Sequence, residues 1–125
     1  MVIGCRRALL LRWPSEPKPH LWIVITDPIG NPPTVAIVPL RTKRRHSDTT
    51  VVLDVGDHPF IRHPTVVHYS DLQVVRVSAI LRCIRDRHAQ LVEDVSEELL
   101  ERIRNGLERS PFTVKAHLEY CLARR

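Results

Sequence analysis

Glycine is scarce: the 125 residues hold four, Gly4, Gly30, Gly56 and Gly106. They are too scattered to build a loop that wraps a nucleotide's phosphates. Cysteine is scarce too. Cys5, Cys83 and Cys121 lie far apart, are odd in number and include no CxxC spacing. That excludes a zinc site built on thiols and reads Cys83 and Cys121 as core or interface residues. Long hydrophobic runs are missing. Ala8–Leu11 is only four apolar residues before Arg12 interrupts it, too short for a secretory signal. No window approaches the roughly twenty apolar residues of a membrane span. The expectation is a soluble, cytoplasmic protein. There is no GxSxG elbow, no internal repeat, and no low-complexity stretch beyond Pro14–Pro19 (PSEPKP), read as an exposed connection between strands.

What is present suits one small domain over 1–125. The chain is 43% hydrophobic and carries ten prolines, enough for a core broken by rigid turns. Nineteen Lys and Arg against fourteen Asp and Glu give a formal charge of +5, and sixteen of the nineteen are arginine. The densest basic stretch is Arg41-Thr42-Lys43-Arg44-Arg45-His46. Between two strands it reads either as a phosphate-contacting loop or as a solvated one. Five acids, Glu93, Asp94, Glu97, Glu98 and Glu101, read as an exposed helical face.

Short apolar, β-branched runs predict strands at 8–13, 21–26, 35–40, 49–55, 65–69 and 73–77. The pair 21–26 and 35–40 reads as a hairpin closed by the Asp27–Pro33 turn cluster. Val77, Ile80, Leu81 and Ile84 also fit a helical stripe, which leaves 78–85 ambiguous. Helices are predicted at about 95–109 and 111–123. The first has Asp94 as N-cap with Glu97 three residues on, and the second has Pro111 at its first position. Val95, Leu99, Ile103 and Leu107 make one apolar face. Strands followed by two helices predict a mainly β fold: a small SH3-like barrel, or a strongly bent antiparallel sheet, capped by the helices. Two amphipathic helices on so short a chain also predict a homodimer.

The polar cluster Asp54-Val55-Gly56-Asp57-His58-Pro59-Phe60-Ile61-Arg62-His63-Pro64 offers chemistry. His58 and His63 each precede proline, which holds them on extended backbone. A stiff histidine suits a general base near neutrality, or a structural ring bonded to backbone. Asp57, His58, His63 and His68 are metal-ligand types, but their spacing matches no compact signature, so no metal and no cofactor is expected. His20 sits at the mouth of a central strand. Trp22 reads as core or as a stacking surface for a base. Histidines, arginines and hydroxyls suffice for metal-independent RNA cleavage: a base for the 2′-OH, a cation for the phosphorane, an acid for the leaving oxygen.

His20–Pro28 (HLWIVITDP), Val35–Thr42, Asp48-Thr49-Thr50 and Gly56–Ile61 together give a likeness over roughly residues 8–85. There the chain resembles the MazF/PemK-like growth-inhibitor toxins, in a divergent branch. The arginine–proline signature that precedes the first long strand in that family is replaced by His20-Leu21. The resemblance implies an SH3-like barrel, a dimer, and metal-free endoribonuclease activity on single-stranded RNA, neutralised by a protein antitoxin. It places a family hydroxyl at Thr42, with Arg41 competing for the place. The expected catalytic set is His58 first, then His20, with Arg45 or Arg41 as phosphate cation and Thr42 positioning. The expected RNA-binding set is Lys43, Arg44, Arg45, Arg62, His63 and Trp22. The alternative is a small-barrel module that binds nucleic acid or a partner without catalysis.

Overall fold

The β-branched run at the centre of the chain forms the centre of a seven-stranded antiparallel sheet. In a computed structural model, which describes residues 2–13 and 15–124, the strands are β1 (Ala8–Leu11), β2 (His20–Val24), β3 (Thr34–Thr42), β4 (Val52–Leu53), β5 (Thr65–Val67), β6 (Gln73–Arg76) and β7 (Ala89–Val92). Met1, Pro14 and Arg125 lie outside the described residues. The strand order is β4-β5-β3-β2-β1-β7, with β6 also on β3. Its two ends, β4 and β7, do not pair with each other, so the sheet is open and the barrel expectation is corrected.

Three helices flank the sheet: α1 (Val77–Arg85), α2 (Glu97–Arg109) and α3 (Lys115–Leu122). Strand alternation divides the core into two layers. One face buries Ile23, Ile25 and Val38 against Leu99, Ile103 and Leu107 of α2. The other buries Leu9, Leu11, Trp22 and Ile37 with Ile80 of α1. Burial of such side chains contributes about 1.5–3 kcal/mol each.

Several element boundaries differ from the sequence reading for local reasons. The ambiguous stretch 78–85 is helical because its apolar residues repeat at three- and four-residue steps. The strand expected at 49–55 shrinks to Val52–Leu53. Just before it, the Asp48 carboxylate accepts both the Thr50 N–H (3.0 Å) and the Thr50 hydroxyl (2.6 Å), a turn that competes with the ladder. The N-cap of α2 is Ser96, whose hydroxyl accepts the Leu99 N–H at 3.0 Å, and Asp94 instead faces Arg7 at 3.6 Å. Pro111 does not open α3, which begins at Lys115. Ser110 Oγ accepts the Phe112 N–H at 3.1 Å and holds 110–113 as a turn. β7 is an addition to the expected strands, since Ala-Gln-Leu-Val carries little β-branched signal.

Pro39 shapes the site. His68 donates its N–H to the Pro39 carbonyl (3.0 Å), so the edge of β3 facing β5 and β6 lacks a donor at position 39. There the partner changes: β5 pairs with Leu40–Thr42 and β6 with Thr34–Ile37. The chain between them, His68–Leu72, leaves the sheet as a short 3-10 turn over Tyr69–Asp71.

Candidate functional site

That excursion delivers Asp71 to one end of the sheet, where β2 begins and β3 ends. The register Trp22↔Pro39 continues to His20 opposite Arg41, and Leu11 pairs with His20 on the other side. His20, Arg41 and Trp22 therefore share a face. Arg41 is the hub. One Nη faces His20 Nε2 at 3.2 Å, and the other reaches Asp71 Oδ2 at 3.1 Å and Glu16 Oε1 at 3.5 Å. Asp71 Oδ2 also meets His68 Nδ1 at 2.9 Å. The second Glu16 oxygen lies 3.3 Å from His20 Nε2.

His20 Nε2 thus sits between two opposite partners. When bare it accepts from the Arg41 guanidinium. When protonated it pairs by charge with the Glu16 carboxylate oxygen 3.3 Å away, which has no hydrogen-bond partner of its own among the described residues. Burial, reinforced by the Arg41 charge, lowers its pKa against the opposing pull of Glu16 and Asp71. The ring is neutral at pH 7 and has a carboxylate ready to receive its proton-bearing form. Its side chain is 27% exposed, so solvent reaches it.

Glu16, Arg41 and Asp71 line a cavity of about 320 Å³ with Trp22, and a second one of about 220 Å³ meets the cluster at His20 and Arg41 and is lined further by Thr42, Phe60, His63 and Thr65 among others. Of the residues expected from the sequence this second cavity brings together His20, Arg41, Thr42 and His63. Arg41 and Thr42 are neighbours in a strand and present their side chains to opposite faces. Lys43, Arg44 and Arg45 follow on an exposed loop, and the Lys43 N–H donates to Pro64 O at 3.0 Å, tying that loop to the His63 turn. Arg62 is exposed and, with His58, lines an adjoining cavity that shares Ile61 with the one at His20.

His58 is not part of this group. It is 3% exposed. Its Nδ1 accepts the Phe60 N–H at 3.1 Å, which puts the ring proton on Nε2, donating to the Glu93 carbonyl at 2.5 Å. Both ring nitrogens are occupied by backbone, and the ring fastens the 56–64 turn to the strand end at residue 93. The candidate base moves from His58 to His20. Trp22 is likewise removed from the RNA-binding set. It is 1% exposed and packs edge-to-face on Trp13, with ring centroids 6.0 Å apart. The exposed aromatic at the cavity is Phe60.

Sequence reasoning missed Glu16, Asp71 and Phe60, and weighed His68 only as a metal-ligand type. Glu16 lies in the proline-rich connection read as solvated, yet that stiff segment turns its carboxylate back onto His20 four residues on. Asp71 and His68 have no motif, because the Pro39 switch that places them is a tertiary event. Phe60 lies inside the polar 54–64 cluster, where a single aromatic carries no periodic or motif signal. Among the described residues no three His, Cys, Asp or Glu side chains converge to hold a metal ion. No helix among them is long and apolar enough to cross a membrane. No family model, curated protein or solved structure matches the chain, so the site stands on its own geometry.

Proposed function

We propose that the chain binds single-stranded RNA across the open end of its sheet and cleaves it without a metal. The observation that carries this reading is the position of His20 Nε2, between an arginine N–H at 3.2 Å and a carboxylate oxygen at 3.3 Å. A neutral imidazole so placed takes the proton of a 2′-OH. The 2′-oxygen attacks the adjacent phosphorus, the bond from phosphorus to the 5′-oxygen breaks, and the products are a 2′,3′-cyclic phosphate and a 5′-hydroxyl. Arg41 donates to the phosphorane oxygens, where its planar fork contacts two at once. His63, lining the same cavity, gives a proton to the leaving 5′-oxygen. Glu16 and Asp71 hold Arg41 and His20 in place. Lys43, Arg44 and Arg45 supply phosphate contacts, and Phe60 offers a stacking surface for a base. Under the family resemblance the same reading includes a neutralising antitoxin and a homodimer. Light scattering that gives the 14.4 kDa monomer mass across micromolar concentrations removes the dimer.

A second reading, RNA binding without cleavage, is favoured by one observation: Arg41 already contacts two carboxylates, which offset its charge toward a phosphate. The test is a labelled RNA and the same sequence with 2′-deoxy sugars, both incubated with folded protein in EDTA. Cleavage of the RNA alone, ending in a cyclic phosphate, is expected. Intact RNA at large protein excess, with binding retained, replaces the first reading by the second.

A further inference from the structure

A cavity larger than the one at His20 lies nearby. It holds about 700 Å³ where β1 meets β7, and its apolar lining is Leu10 from one face of the sheet and Ile84, Ala89 and Leu91 from the other. Its rim carries Arg12, Arg87 and His88, and no acid lines it. Leu10 and Pro19 line both this cavity and the one beside His20, so the two form a continuous surface. Strand register places them side by side: Ala89 pairs with Leu11, Leu11 with His20, and the Arg12 N–H donates to the His88 carbonyl at 3.0 Å.

Arg12 and Arg87 have no hydrogen bond or ion pair from their guanidinium groups among the described residues. Arg87 is also an unusual residue for its place. It follows α1 with φ 63°, its N–H donating to Ile84 O and the next N–H, of His88, to Cys83 O. That is the left-handed helix-ending position which glycine fills at least cost. A cation is held there although the backbone favours a residue without a side chain.

We propose that this cavity is a second nucleotide subsite, which takes a base against Ile84, Ala89 and Leu91 and the neighbouring phosphate on Arg12 and Arg87. It rests on the RNA reading above and extends it: a single strand crosses from the Lys43–Arg45 loop, past His20, into the cavity. The charge of the rim and its continuity with the His20 cleft favour an anionic polymer with flat apolar groups. Single-stranded nucleic acid has both.

The test uses 2′-O-methyl oligouridylates, which cannot be cleaved through the 2′-oxygen, as a dinucleotide and as an octanucleotide. Fluorescence anisotropy reads their affinity for wild type, Arg12→Ala, Arg87→Gly and the double variant. Arg87→Gly relieves the left-handed backbone, so its melting temperature stays level or rises and a loss of binding is not a loss of fold. The octanucleotide is expected to bind the double variant about tenfold or more weakly, while the dinucleotide is unaffected. Equal affinity of both proteins for the octanucleotide overturns the proposal. So does an equal loss for both probes, which would place the arginines in the cleft itself. An acidic peptide whose binding is lost in the double variant, with octanucleotide affinity unchanged, assigns the cavity to a protein partner and also overturns it. If wild type fails to cleave RNA yet shows the expected length dependence, the subsite stands and the catalytic reading alone falls.

Discussion

His20 and His58 show how one residue type takes two roles from its surroundings. His58 has a backbone donor on one nitrogen and a backbone acceptor on the other, so its tautomer is set and both nitrogens are occupied. His20 has a guanidinium and a carboxylate on the same nitrogen, so its proton can come and go. Burial and Arg41 lower the His20 pKa. The acid limb of the cleavage rate is therefore expected to bend below the ordinary imidazole value of about 6.5. In Arg41→Gln, with that positive charge removed, the bend moves to higher pH. A limb that stays put in Arg41→Gln contradicts the assignment of His20 as base. Asp48 carries a pH dependence of another kind. Burial acts to raise its pKa, but hydrogen bonds from Ser110 Oγ (2.6 Å) and Thr50 outweigh it and hold the carboxyl below its usual value. The stability this contributes is fully present above the unfolded value of about 3.9 and is lost as pH falls through the lower folded value. Asp48→Asn is expected to cost about 1–3 kcal/mol at pH 7 and to flatten that acid loss, read by denaturant melts at several pH values.

The elements legible in the sequence are those whose pattern is local. The β2–β3 hairpin follows from two β-branched runs around a proline–glycine turn. The buried face of α2 follows from Leu99, Ile103 and Leu107 at four-residue spacing, all buried, with buried Val95 continuing the spacing just before the N-cap. The elements that escape such reading depend on distant partners. β7 is a strand only because β1 offers it an edge, and the 3-10 turn at Tyr69–Asp71 exists because Pro39 interrupts the edge of β3. Gly106 belongs to the same class. Inside α2 it reads as a weak helix residue, yet a Cβ there would overlap the Tyr69 hydroxyl and lie 2.6 Å from Val51 Cγ2. Tyr69, fully buried, donates its hydroxyl to Ile103 O at 2.6 Å, and α2 can approach it only where a side chain is missing. Gly106→Ala gains about 1 kcal/mol of helix propensity. Overpacking outweighs that gain, and a net loss of about 1–3 kcal/mol is expected in chemical denaturation. A stabilised variant would show that Tyr69 does not pin α2.

For the whole molecule, charge is legible in the sequence and its arrangement only partly so. The +5 balance and the 41–46 run are read directly, and the fold sets that run beside the cavity lined by His20 and His63. Closure is not legible: seven short strands suit a barrel or an open sheet, and only pairing between β4 and β7 distinguishes them. Neutralising Lys43, Arg44 and Arg45 together is expected to lower the slope of log affinity against log salt by about 0.7 for each phosphate that the loop no longer neutralises. An unchanged slope removes the loop from the interface. The central claim is that His20, and not His58, performs the chemistry. It is tested most directly by single-turnover cleavage of one RNA in EDTA by wild type, His20→Ala and His58→Ala, each rate divided by the folded fraction from its melting curve. The account predicts a fall of about 10²-fold or more for His20→Ala with an almost unchanged melting temperature. It predicts a lowered melting temperature with the rate per folded molecule preserved for His58→Ala. The reverse pattern, a full rate in His20→Ala and a collapsed one in folded His58→Ala, would contradict it.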